Sequence, residues 1–145
     1  MSDLILSYSP AVDFGADFIP QLVEKTRNAV WGGVSPPQKP HEHFVVTKRD
    51  ETGHYAGALY GLGSQNWLYI HLMFVEPHLR GRGIGSEFLK AAEVEIRGRD
   101  YAGIMLFAYD PPAPFYLKNG FTISGTFPNR PRPETEYMLT KILNS

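Results

Sequence analysis

The sequence predicts an α/β domain, and three observations carry that prediction. A strand-like run at 67–75 leads into a glycine-rich turn, an amphipathic helix and then a run apolar on both faces at 102–108. Strand, turn, helix and buried strand make one βαβ unit. Upstream, 44–48 and 55–62 read as two further strands joined by the turn Asp50-Glu51-Thr52-Gly53. The composition, 43% hydrophobic and 20% charged over 145 residues, suits one globular domain with a substantial core, so a single domain over residues 1–145 is expected.

Taken in order, residues 4–8 form a plausible first strand, closed by Pro10. From Asp13 the pattern turns helical, with Phe14, Phe18, Leu22 and Thr26 on one stripe and Asp13 as N-cap. That helix fades at Gly32-Gly33, and the prolines and glycines of 32–43 make a loop. In the strand at 55–62, Gly57, Gly61 and Gly63 suggest a bulge or a close backbone approach. The turn Ser64-Gln65-Asn66 leads into WLYIHLMFV. There, strict alternation assigns Leu68, Ile70, Leu72 and Phe74 to the core and Trp67, Tyr69, His71 and Met73 to a cleft wall.

Pro77 ends that strand, since it cannot donate to a ladder. Ile84, Phe88, Ala92 and Ile96 then repeat every four residues as the buried stripe of a helix, with Gly98 at its C′ position. Pro111, Pro112 and Pro114 crowd the entrance of a short helix that runs to about Asn119 and is capped by Gly120. Final strands at 121–127 and 135–143 flank the loop PNRPRP, where Arg130 and Arg132 read as solvated.

Several function classes lose support. A net charge of −1 gives no footprint of a general nucleic-acid binder, and the isolated RGRG at 80–83 lacks the repeats of an RNA-binding segment. There is no cysteine, hence no disulfide, thiol nucleophile or cysteine-based metal site. MSDLILSYSP has neither the basic nor the apolar region of a signal peptide, and the longest apolar run, 67–75, is too short to span a bilayer. A cytoplasmic protein without membrane or nucleic-acid partners is the expectation. His41-Glu42-His43 has metal-ligand residues, but no third ligand is spaced to complete a zinc site, so no metal is expected.

The stretch LRGRGIGSEFLKAAE asks why Gly81, Gly83 and Gly85 stand at a helix entrance, where glycine weakens the helix. A helix N-terminus offers unpaired N–H groups and the positive end of the macrodipole, and missing side chains let a phosphate reach the backbone. Arg80 and Arg82 add positive charge. A turn built for backbone geometry alone is the bland alternative; the preceding strand, the following helix and the two arginines favour the phosphate. The dinucleotide fingerprint fails, because Ser86 stands where its third glycine belongs and Met105 where its acidic residue belongs. The G-x-x-x-x-G-K-[ST] loop and the kinase motifs are absent.

These residues resemble the GCN5-related N-acetyltransferases (GNAT). The family signature [QR]-x-x-G-x-[GA] is carried by Arg80, Gly83 and Gly85, and a second landmark by FYLKNGF at 115–121. The likeness covers roughly 67–141; the N-terminal part matches only in its order of elements. The resemblance implies a mixed, mostly antiparallel sheet in which two parallel strands splay, with flanking helices. It implies acetyl-CoA in the split, its pyrophosphate on Arg80, Gly81, Arg82, Gly83, Ile84, Gly85 and Ser86. The pantetheine amides would pair with Met73, Phe74 and Val75, as an added strand does. Tyr109 stands where the family often has an asparagine, about seven residues before the tyrosine.

The chemistry is acyl transfer to a primary amine, direct because no cysteine is present to form an acyl-enzyme. By resemblance Tyr116 is the general acid for the departing thiolate; the alternative is an aromatic cluster of Phe115, Tyr116 and Phe121. His71, on the cleft-facing set, is the candidate base, with His54, Glu42 and Tyr69 as other choices. The N–H groups of Phe74 and Val75 are the expected oxyanion donors. Trp31, Tyr69 and His71 are the candidate acceptor contacts, and the loops 32–43 and PNRPRP border the acceptor. A non-catalytic acyl-CoA-binding sensor is the competing function; it keeps the glycine turn without needing Tyr116 or His71. A homodimer through an exposed edge or the C-terminal strand stays open.

Overall fold

The computed structural model describes residues 15–32 and 40–143, divided between a first unit, Met1–Gln38, and a second, Lys39–Ser145. The strand expected at 4–8, together with Asp13, Phe14 and the centre of the 32–43 loop, lies outside the described residues. In the first unit, α1 spans Phe18–Trp31. It starts later than the stripe suggests, with Asp17 in the N-cap position, because Pro20 has no N–H and is tolerated only in a first turn. A helix from Asp13 would bury that proline in its interior. Gly32 ends α1 as expected, in the left-handed conformation, and its N–H reaches Asn28 O.

The second unit is a six-stranded mixed sheet with flanking helices. Its strands are β1 (Glu42–Arg49), β2 (Tyr55–Ser64), β3 (Trp67–Val75), β4 (Gly103–Tyr109), β5 (Thr122–Pro128) and β6 (Thr135–Ile142). The order is β1-β2-β3-β4-β6-β5, antiparallel throughout except for the parallel pair β3–β4. The parallel pair is joined through a short 3-10 turn, Pro77–Leu79, and α2 (Ile84–Arg97); α3 (Ala113–Lys118) follows β4. Most strands begin or end one or two residues from their sequence positions, as element ends do. No described helix is long and apolar enough to cross a membrane.

The core lies between α2 and one face of the sheet. Ile84, Phe88, Leu89, Ala92 and Ile96 meet Leu59, Leu68, Ile70, Ile104, Leu106 and Leu139, all buried. Gly98 closes α2, though with φ −77 and so outside the left-handed region. Gly120, with φ +92, follows α3 as its cap.

The strict alternation predicted for β3 fails at His71. Gly61 pairs with Ile70 and Tyr60 with Leu72, so His71 is an extra residue, a β-bulge. One inserted residue exchanges the two faces of everything beyond it. Leu68 and Ile70 are buried as expected, but Leu72 and Phe74 are exposed, while Met73 and Val75 pack on the core in their place. The glycines of β2 leave room for close neighbours: a Cβ on Gly61, beside the bulge, would press on Leu68 Cδ1 at 2.9 Å, one on Gly57 would collide with Phe74 O, and one on Gly63 with the Tyr101 hydroxyl.

Candidate active site

The strands β3 and β4 pair at only three positions, Trp67 with Gly103, Leu68 with Ile104 and Tyr69 with Met105. Beyond them the strands part, and the gap opens at the end of β3 that leads to the glycine turn. The bulge at His71 and the early end of pairing lie side by side, because a bulged strand twists away from its neighbour.

Peptide orientation along the gap follows from one hydrogen bond. Glu76 N–H is given to Ala56 O at 2.8 Å, so Glu76 faces β2. Alternation then turns the N–H and C=O of Val75 away from β2, into the gap. There the Val75 carbonyl accepts a bond from Arg80 Nε at 2.8 Å, and the Arg80 guanidinium lies 5.3 Å over the Phe74 ring. The same alternation points the Phe74 N–H toward β2. Of the two oxyanion donors expected from the sequence, only Val75 therefore faces the gap.

The glycines have separate structural reasons. Gly83 holds the N-cap position of α2 with φ +81, a conformation that costs any residue with a Cβ. No side chain caps α2, so the first N–H groups keep their capacity for an outside acceptor. Gly85 lies within the first turn, where a Cβ would meet Phe115 Cζ at 3.0 Å and Met73 Cε at 3.6 Å. Its missing side chain lets α3 close over the turn.

The gap, the turn and α3 enclose a cavity of about 480 Å3. It is lined by Met73, Phe74, Val75, Arg80, Gly81, Gly83, Ile84, Gly85, Ser86 and Tyr116, so it gathers all but one of the residues assigned to cofactor binding, together with the tyrosine. Arg82 is the exception; it lines a neighbouring cavity of about 490 Å3 with the β1–β2 hairpin tip. Leu79, Pro112, Phe115 and Lys118 also line the first cavity, though none of them is assigned a binding role from sequence. The basic Lys118 was visible within FYLKNGF as its one charged residue.

Tyr116 is buried, 9% exposed, with its ring edge-on to Phe115 at 5.1 Å and to Phe121 at 5.8 Å. It is at once a member of the aromatic cluster and a wall of the cavity. Burial pushes its phenol above the ordinary value of 10, so it stays protonated at neutral pH.

His71 and Tyr69 do not line that cavity. Their rings lie 4.0 Å apart, with Tyr60 5.6 Å from His71. The other candidate bases are engaged elsewhere. Glu42 is held by Arg99 and by the Tyr101 hydroxyl at 3.1 Å, and His54 sits in the β1–β2 turn with Nδ1 2.7 Å from Thr52 Oγ1. Trp31 is the last residue of α1, in the first unit. Around the histidine pair, His41 Nε2 lies 3.3 Å from Ser64 Oγ and His43 Nδ1 2.8 Å from the Tyr60 hydroxyl; no cluster of metal-ligating side chains occurs among the described residues.

A glycine turn on a helix N-terminus, an unpaired strand edge and a buried phenol, all opening on one cavity, define an acyl-CoA-dependent acyltransferase fold. Comparison with known proteins agrees. Residues 40–123 match the acetyltransferase (GNAT) domain family. The chain is 31% identical over 107 residues to a blasticidin-S acetyltransferase of Streptomyces morookaense, covering 72% of this chain and 79% of that one. An acetyltransferase from Bacillus cereus superposes with a TM-score of 0.76 at 20% identity, over 97% of this chain and 98% of its own. An aminoglycoside 6'-N-acetyltransferase complexed with coenzyme A superposes with a TM-score of 0.65 at 17% identity, over 90% and 82%. The chain belongs to the GNAT acetyltransferases and is an acetyl-CoA-dependent acetyltransferase.

Proposed function

We propose that the protein N-acetylates a small molecule bearing a primary amine, by direct transfer from acetyl-CoA. The observation that carries this reading is the single cavity shared by the glycine turn, the Val75 peptide and Tyr116. Acetyl-CoA supplies the activated acyl group. Arg80, Lys118 and the α2 N-terminus offer positive potential for its phosphates, and the open edge of β3 offers peptide groups for its amides.

The amine nitrogen forms a bond to the acetyl carbon as the carbon–sulfur bond breaks. Tyr116 gives its proton to the departing sulfur and regains one from solvent. The Val75 N–H donates to the carbonyl oxygen as negative charge develops there. His71 takes the ammonium proton directly or through water. Tyr69 and His71 form part of the acceptor wall. A small acceptor fits the relatives: one is a blasticidin-S acetyltransferase and a structural neighbour is an aminoglycoside N-acetyltransferase. The lack of cysteine suits action of this one catalytic domain in the cytoplasm.

The test is calorimetric titration with acetyl-CoA, followed by thiol release across a panel of small amines and basic peptides. Binding together with turnover of small amines supports the reading. A folded protein that binds no acetyl-CoA, or that turns over only peptide lysines, overturns it.

A further inference from the structure

The face of the sheet turned away from α2 carries a row of rings that the chemistry above uses only in part. From β2 to β5 the row runs Tyr60, His71, Tyr69, Phe107 and Phe127, with successive centroids 5.6, 4.0, 5.9 and 6.0 Å apart. It crosses from β3 to β4 where their pairing ends. At its far end the row already holds a planar cation. The Arg130 guanidinium, from the PNRPRP loop, lies 5.3 Å over Phe107 and 4.9 Å over Phe127. Its Nε is 3.4 Å from Glu136 Oε1.

The carboxylate of this box is sheltered and its occupant is exposed. Glu136 is paired across strands with both Tyr109 and Phe127, so its side chain shares their face, and it is only 13% exposed. Tyr109 stands directly across from it on β4. Arg130 is 56% exposed, and its contact with Glu136 is long for an ion pair. Two aromatic faces and one sheltered carboxylate recognise a flat, weakly hydrated cation, and a loop arginine meets that description as well as a ligand does.

We propose that Phe107, Phe127 and Glu136 form a specificity subsite for a planar cationic group of the acceptor, a guanidinium or amidinium, and that Arg130 occupies it until the acceptor arrives. The acceptor is then a small dication. Its flat cation sits in the box, and its primary amine is carried back along the ring row toward Tyr69 and His71. This rests on the proposed acceptor chemistry and narrows it to one substrate class.

The probe is N-ethylguanidinium, whose binding is followed by NMR shifts of the Phe107 and Phe127 rings in the parent, Arg130→Ala and Arg130→Ala/Glu136→Gln proteins. Emptying the box should tighten binding roughly five- to tenfold in Arg130→Ala, and removing the carboxylate should abolish it. Arg130→Gln gives the same gain if the effect is vacancy rather than a change of loop shape. N-propylammonium, matched in charge but not flat, should show no such gain. Equal binding by parent and Arg130→Ala, or binding retained in the double variant, overturns the subsite. Circular dichroism of each protein reports folding, and acetyl-CoA titration separates this outcome from failure of the acetyltransferase reading, since guanidinium binding needs no acyl donor.

Discussion

The ring of Phe115 stands 3.0 Å from the place a Cβ would occupy on Gly85. The first turn of α2 and the short helix α3 are therefore in contact across the cavity only because Gly85 has no side chain. Substituting Gly85→Ala should displace Phe115 or α3, at a cost of about 1–3 kcal/mol in stability by overpacking. Acetyl-CoA affinity should fall with it. Urea denaturation and calorimetric titration measure the two effects; unchanged values for both would mean that α3 yields freely.

Replacing Tyr116 by Phe keeps the packing against Phe115 and Phe121 and removes only the hydroxyl. The expected result is a fall in kcat of roughly 10²–10⁴, the usual range for a lost general acid. The acetyl-CoA Kd should stay within about twofold, because no binding contact is deleted. An unaltered kcat would return Tyr116 to a purely packing role.

His71 occupies the bulge, where its loss leaves the pairing of β2 with Leu72 and Ile70 in place. His71→Ala should reduce kcat/KM by about 10² with acetyl-CoA binding unchanged. A loss smaller than about threefold would show that the amine loses its proton to solvent.

Lys141 on β6 joins Glu93 at 2.8 Å and the carbonyl of Asn119 at 3.2 Å, tying α2 to the end of α3. Burial raises the Glu93 pKa, but the hydrogen bonds from Lys141 and Arg97 outweigh it and hold the carboxyl below its usual value. A depressed native pKa stabilises the fold fully above the unfolded carboxylate value of about 4.3. That contribution disappears as pH falls through the lower native value. Lys141→Met should lower stability at neutral pH by about 1 kcal/mol and flatten this acid-side loss, as read from melting temperature against pH.

Tyr101 packs against Phe44 and donates to Glu42 at 3.1 Å. Burial, followed by the Glu42 hydrogen bond, pushes its phenol up to about 12. The neutral form is the stabilising one, so its contribution is whole below the ordinary value of about 10 and is lost as pH rises toward 12. Ultraviolet titration should show a late-ionising tyrosine that Tyr101→Phe removes. A titration curve identical in the two proteins would place the late ionisation elsewhere.

Much of the second unit was legible in the chain itself. Trp67–Val75 forms a strand with the expected bounds, the stripe Ile84, Phe88, Ala92 and Ile96 is buried in α2, and β3 and β4 are parallel around that helix. Such features depend on local periodicity and on turn residues, which one sequence displays directly. The family landmarks were equally local: Gly83 fixes a left-handed N-cap and Gly120 a left-handed turn after α3.

What the sequence by itself determined is the βαβ unit, the glycine turn and the family to which they belong. Only the tertiary structure decided the bulge at His71, which reverses the faces of Leu72 and Met73, and the loop contact that lays Arg130 over Phe107 and Phe127. The reason is the same in both cases. A bulge is fixed by what the partner strand offers opposite it, and a loop cation by which rings fold beneath it. Phe127 is three residues from Arg130, but Phe107 lies on another strand. The glycines of β2 hint at a bulge without saying which residue of β3 it displaces, so no local pattern records either pairing.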